Sequence, residues 1–190
     1  MGTTGSDGTD SAGQLLAQLH TFFRQHPTTG PDGHSYISSE PRPTAIAPGL
    51  PFNARIVDHI TDSVREVVDH TRAANPAAGP IPEHPAAVYD WAREHTEHAP
   101  EDVQQRRDTL EYRHSLEHAI TAGDHSVIRR HRCPDCGAPG LYWQQQEAKA
   151  VCVNRHCARR NGGTHRRYDV ARLAYEHLQA RKNLRQARAT

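Results

Sequence analysis

Cys133-Pro134-Asp135-Cys136-Gly137 and Cys152-Val153-Asn154-Arg155-His156-Cys157 hold all four cysteines of the 190-residue chain, with fifteen residues between Cys136 and Cys152. Two closely spaced pairs separated by the length of one β-hairpin suit a single tetrahedral ion, because each tight turn presents two thiolates and the hairpin brings the turns together. The spacing therefore predicts a zinc ribbon with Cys133, Cys136, Cys152 and Cys157 as ligands. Gly137, Asn154 and Gly162–Gly163 offer positive φ near the two knuckles. The second knuckle has four intervening residues where two are usual, so His156 is an alternative ligand, and a pair of disulfides is an alternative to a metal.

The hairpin arms are read at Leu141–Gln144 and Ala148–Val153, with Gln145 to Glu147 at the turn, and Ser126–His131 as a strand entering the first knuckle. Strand alternation sends one of Tyr142 and Trp143 inward, and Trp143 is the better core residue. A unit this small depends on its metal for folding.

Outside the ribbon the chain reads as mainly α, a small helical bundle with the ribbon following it and a basic helix at the end. Residues 1–12 are polar and read as disordered. Leu15, Leu16, Leu19, Phe22 and Phe23 form one face of an amphipathic helix over 13–26, either packing on later helices or docking another protein. Six prolines make 27–52 a linker. An acidic helical domain spans 53–124. Its first helix, 54–74, has an apolar stripe of Ile56, Val57, Ile60, Val64, Val67 and Val68, with Asn53 a possible N-cap. A second starts at Pro85 and carries Val88, Tyr89, Trp91 and Ala92. A third, about 101–122, has Val103, Leu110, Leu116, Ala119 and Ile120 as its apolar side and ends at Gly123. The ribbon is placed at 125–167. The final helix, 168–190, is capped by Asp169, with Val170, Leu173, Ala174, Leu178 and Leu184 as a narrow apolar face. Its opening residues resemble half of a helix-turn-helix whose recognition helix is missing.

A mean hydropathy of −0.82 is thin for one compact core. No apolar run approaches a membrane span, and the N-terminus lacks the features of a signal peptide, so a cytoplasmic protein without a membrane partner is expected. The formal charge of +1 conceals an asymmetry: residues 1–126 hold 9 Lys+Arg against 18 Asp+Glu, whereas 127–190 hold 14 against 4. A basic half of this kind is expected to face nucleic acid, DNA rather than RNA. The candidate contacts are Arg155, Arg159, Arg160, Arg166, Arg167, Arg172, Arg181 and Lys182, with Tyr142 or Trp143 able to stack on bases if outward-facing. The competing use of the same charges is pairing with the acidic half. Arginine outnumbers lysine 21 to 2, which follows from a GC-rich coding bias and is not itself a sign of phosphate binding.

Two patterns point toward enzymes. His114-Ser115-Leu116-Glu117-His118 matches H-x-x-E-H, in which two histidines one helical turn apart bind zinc beside a general base. Five residues are a weak signal in a chain with 15 histidines, and packing histidines are the default. Asn154, His156 and His165 are similar to the Asn and His of ribbon-supported nucleases, without an accompanying acidic metal cluster. The expectation is a non-enzymatic protein.

Tyr112–His118, Cys133–Gly137, Leu141–Trp143 and Val151–Cys157 together resemble small zinc-ribbon proteins of actinobacteria and their bacteriophages, over about residues 52–180. That resemblance implies DNA binding by analogy, a phage or mobile-element setting, and a packing role for His114 and His118. The main alternative is an interaction protein in which the ribbon is purely structural and the first helix or the acidic bundle meets a protein partner.

Overall fold

The computed structural model describes residues 12–25 and 54–189. The polar N-terminus, the proline-rich linker and the Asn53 cap fall outside the described residues, as do the side chains of Leu19, Phe22 and Phe23. The described helices are α1 (Ala12–Gln25), α2 (Ala54–Ala74), α3 (Val88–His95), entered through a 3-10 turn at Pro85–Ala87, and α4 (Glu101–Thr121). A short α5 (Ser126–Arg129) follows, then strands β1 (Tyr142–Gln144) and β2 (Lys149–Val151), α6 (Arg155–Arg160), β3 (Arg167–Tyr168) and the terminal α7 (Val170–Ala189). The fold is mainly helical, with one antiparallel three-stranded sheet in the order β1-β2-β3.

Helix α1 does join the bundle. Ala12 and Leu16 are fully buried with Val67 of α2 and Val88, Tyr89, Trp91 and Ala92 of α3. Gly13 permits this approach, since a Cβ there would lie 2.8 Å from the Ala86 carbonyl oxygen. On α2, Ile56 and Val67 are buried, but Val57 is 47% exposed, so the stripe is narrower than its β-branched residues suggest. Ser63 and Thr71 are buried instead, each donating its hydroxyl to a carbonyl four residues earlier at 2.8 Å.

Helix α4 separates two cores. Leu110 packs against the bundle core, whereas Leu116, Tyr112 and Ile120 pack against a second core formed with Ile128, Leu141, Trp143, Ala150, Tyr168, Val170 and Leu173. The acidic bundle and the cysteine-bearing sheet thus share a helix, and α7 packs along α4 rather than standing apart as a terminal extension. Leu184 of α7 is 61% exposed, which shortens the apolar face expected for that helix. Helix α4 closes on Gly123, whose N–H donates to Ile120 O while that of Asp124 donates to Ala119 O, the paired bonds of a Schellman motif.

Ser126–Arg129 is helical, not a strand. The Asp124 carboxylate accepts the Ser126 N–H at 2.9 Å and starts a turn, and the extended pairing expected there is reduced to one bridge between Arg132 and Pro139. The hairpin was placed correctly, with Gln144 opposite Lys149, and a third strand, β3, pairs with β2.

The side chains buried between the two cores include histidines. His114 and His118 are each 1% exposed and belong to a continuous hydrogen-bonded chain across the bundle. Glu66 Oε2 lies 3.2 Å from His114 Nε2, His114 Nδ1 3.0 Å from the Tyr89 hydroxyl, that hydroxyl 3.0 Å from His118 Nε2, and His118 Nδ1 2.8 Å from His59 Nε2. Two neutral tautomer patterns satisfy the chain. In one, His114 donates to Glu66, Tyr89 to His114, His118 to Tyr89 and His59 to His118; in the other, His114 Nε2 accepts from Arg113 Nη2, 3.0 Å away, and the bonds among His114, Tyr89, His118 and His59 reverse. One nitrogen of each histidine of H-x-x-E-H thus meets the Tyr89 hydroxyl, and the other takes Glu66 or Arg113 in the case of His114 and His59 in the case of His118.

Burial pushes His114 down to about 4 and His118 down to about 3, and lowers His59 as well. Burial also raises Glu66, but hydrogen bonds from His114 and Arg113 outweigh it and leave that carboxyl below its ordinary value. In the unfolded chain these histidines take up protons near 6.5, whereas the folded chain resists, so acid favours unfolding. Stability is expected to be complete above about pH 6.5 and to fall steadily toward pH 4, read as the urea midpoint at several pH values. His118→Gln should lower stability at pH 7.5 yet flatten this acid dependence.

Candidate metal centre and its basic surround

The four sulfur atoms converge, lying within 4.8 Å of one another. Cys133 Sγ is 3.9 Å from Cys157 Sγ, and Cys136 Sγ is 3.8 Å from Cys152 Sγ, so the contacts run between the knuckles. All four thiols are free, with no disulfide. Four ligand atoms at these separations could hold one metal ion, and no other such group of His, Cys, Asp or Glu occurs among the described residues. His156 is exposed and is not part of the cluster.

Local backbone geometry builds each knuckle. Gly137 adopts φ +68°, which lets the chain fold back so that its N–H donates to Cys133 O and the Cys133 N–H to Ala138 O, both at 2.8 Å. The second knuckle is a helix start. Asn154 has an ordinary φ of −67° and serves as N-cap, its Oδ1 accepting the His156 N–H at 2.9 Å, which places Cys157 in the first turn of α6. Its four-residue interval is thus accounted for by helix geometry rather than by left-handed backbone at Asn154. His165 Nδ1 lies 2.8 Å from the Cys152 carbonyl oxygen, so Asn154 and His165, two of the three residues likened to those of nucleases, support the knuckle.

The surroundings of Cys136 favour its thiolate. The Ala138 backbone N–H holds Cys136 down to about 7, and Asn154 Nδ2 donates to Cys136 Sγ at 3.7 Å. The Tyr168 hydroxyl lies 3.0 Å from Cys133 Sγ, where it can donate to a metal-bound sulfur. Burial pushes Cys152 up to about 12 and also raises Cys157. Buried thiols of this kind ionise together only if a cation offsets the charge, which is the chemistry of a metal ligand set.

Around this cluster the arginines divide by partner. Arg166 pairs with Asp135 at 2.8 Å, Arg167 with Glu147 at 2.9 Å, Arg172 with Glu176 at 2.6 Å, and Lys182 with Glu101 of the acidic bundle at 2.6 Å. Arg181 lines a groove between α4 and α7 that also contains Glu101, Asp108 and Glu111. Arg155, Arg159 and Arg160 are exposed on α6 and form no ion pair among the described residues. The same holds for Arg129, Arg130 and Arg132, which lead into the first knuckle and were not among the expected contacts. Residues 129–172 hold ten Lys+Arg and three Asp+Glu. Each of the three acids is paired, Asp169 with Lys149, so the signal for the missed arginines was present in the charge run itself.

No protein-family model matches the chain, and no curated protein or solved structure matches it.

The centre is expected to bind one divalent ion per chain, measured by elemental analysis of the purified protein. Cys133→Ser or Cys157→Ser should abolish binding and unfold the sheet, seen as loss of near-ultraviolet signal from Trp143. Tyr168→Phe removes only the hydroxyl donor to Cys133 and should weaken metal affinity about tenfold, measured by competition with a chromogenic chelator.

Proposed function

We propose that this chain is a nucleic-acid-binding protein, preferring DNA to RNA, in which a zinc ion in the Cys133–Cys136–Cys152–Cys157 cluster organises a phosphate-contacting surface. The observation that carries this reading is the position of six arginines at the knuckles that have no ion pair among the described residues. Arg129, Arg130 and Arg132 precede Cys133, and Arg155, Arg159 and Arg160 surround Cys157, whose sulfur lies 3.9 Å from that of Cys133. The ion clamps two basic segments distant in sequence into one surface. Guanidinium groups free of carboxylates keep donors for phosphate oxygens, although Arg132 Nη1 also donates to the Gly137 carbonyl oxygen at 3.1 Å. Zinc is the ion best suited to four thiolates in a small structural site in a reducing compartment, where the thiols stay free. The phage or mobile-element setting of this proposal rests on the zinc-ribbon resemblance alone.

A second reading, an adaptor in which the metal unit is purely structural, is supported by the core shared between Leu116 of α4 and the cysteine-bearing sheet. In that case the acidic bundle is the docking surface.

On the first reading, Arg155→Ala/Arg159→Ala/Arg160→Ala and Arg129→Ala/Arg130→Ala/Arg132→Ala should each weaken DNA binding. Each should also reduce the steepness of log K against log salt, by about 0.9 for every lost duplex phosphate contact. Arg166→Ala/Arg167→Ala should do less, since those charges are already paired. Fluorescence anisotropy at several salt concentrations measures this, and a salt-independent affinity, or equal effects of all three variants, would favour the adaptor.

A further inference from the structure

We propose that the solvent face of the three-stranded sheet is a binding site for single-stranded nucleic acid, with Tyr142 as the stacking platform beneath a base. This rests on the nucleic-acid reading above and specifies its ligand.

The register of the sheet decides which residues share a face. Trp143, Ala150 and Tyr168 lie side by side across the three strands and all are buried, so this row faces the core. Tyr142, Val151 and Arg167 form the neighbouring row, which the pleat turns the other way; Val151 at its centre is covered, at 8% exposure, so the open parts of this face are Tyr142 on edge strand β1 and Arg167 on edge strand β3. Trp143 at 8% exposure anchors β1, while Tyr142 beside it is 56% exposed. Side chains alternate strictly along a strand, so Tyr142 cannot turn inward without extracting Trp143. Its ring is a fixed outward surface, and its hydroxyl has no hydrogen-bond partner among the described residues.

Charge on this face is balanced, Arg167 by Glu147 and Lys149 by Asp169, so contacts to phosphate fall to the arginines of α6. Val153, just past β2, is 58% exposed, and Arg155 begins α6 two residues later. An exposed aromatic ring, an exposed valine and then arginines with no ion pair among the described residues succeed one another along the chain. The other exposed large apolar residues, Val57, Ile81, Tyr175 and Leu184, lie on helices or in the loop before α3, away from this face.

Single strands are favoured over duplex because a duplex hides the π-faces of its bases, whereas an unpaired base can lie flat on an exposed ring with its phosphates beside arginine. DNA and RNA single strands share this chemistry, and the experiment separates them. A further possible occupant, a peptide strand added along the β1 edge, would use backbone groups and be indifferent to the Tyr142 ring.

The test uses the full-length, zinc-loaded protein and labelled homopolymers of about 20 nucleotides, thymidylate and uridylate, alongside a duplex of about the same length, a span that exceeds a typical single-strand site. Tyr142→Ala is expected to weaken single-strand binding roughly 5- to 100-fold and to leave duplex binding unchanged, with Tyr142→Trp retaining it. The exposed position keeps the variant folded, verified by metal content and Trp143 fluorescence. Equal affinity of Tyr142→Ala and wild type for single strands would overturn the stacking site, and if Arg155→Ala/Arg159→Ala/Arg160→Ala still lost binding, the basic-surface reading would stand. Equal losses on single strands and duplex would also overturn it. Failure of the wild-type protein to bind any of the three would remove both proposals.

Discussion

Convergence of four sulfur atoms within 4.8 Å is the constraint on which the C-terminal half is built. The three strands have three, three and two residues, too few to hold a sheet by hydrogen bonding alone. Their pairing places Trp143, Ala150 and Tyr168 on the inner face, where Tyr168 reaches the Cys133 sulfur. Apolar packing and the ligand set therefore reinforce each other at the same residues. The Cys136 and Cys152 sulfurs tie the first knuckle to the end of β2, and those of Cys133 and Cys157 tie it to α6.

Helix α4 transmits that order to the rest of the chain. One part of it supplies Leu110 to the bundle and another supplies Tyr112, Leu116 and Ile120 to the cysteine-bearing core. Between them the helix buries imidazoles, which burial keeps neutral while Tyr89, Glu66 and His59 partner their nitrogens. A buried polar chain with each member paired specifies one alignment of α2, α3 and α4, since a shift by a helical turn would leave several nitrogens unpartnered. Arg93 adds an outer tie between α3 and α4 through two hydrogen bonds to Glu111, at 2.6 and 3.1 Å.

Charge is arranged on the same plan. Acids of the C-terminal half are consumed locally by Arg166, Arg167, Lys149 and Arg172, and the bundle supplies Glu101 to Lys182. Both uses of the basic residues read from the sequence are therefore present in one molecule, at different positions. The residues paired with carboxylates lie on β2, in and beside β3, and on α7, whereas six arginines at the two knuckles, like Arg181, Arg185 and Arg188 of α7, have no ion pair among the described residues.

Cysteine spacing alone located the four-sulfur cluster that could hold a metal ion, because knuckle spacing and hairpin length are local properties. The hairpin, the five longer helices, the inward Trp143 and the capping at Gly123 were legible for the same reason, each depending on residues a few positions apart. Tertiary structure decided what local pattern cannot encode. Ser126–Arg129 became helical because one carboxylate captured a backbone N–H. Val57 and Leu184 fell outside the cores because burial depends on which neighbour arrives, not on periodicity. His114 and His118, read as solvated or packing histidines with a metal pair as the weak alternative, were given their buried partners by Tyr89, Glu66 and His59 from other helices. The division of the arginines into paired and unpaired followed from folding too, since ion pairs such as Arg166–Asp135 and Lys182–Glu101 join residues that sequence separates and only three-dimensional proximity unites.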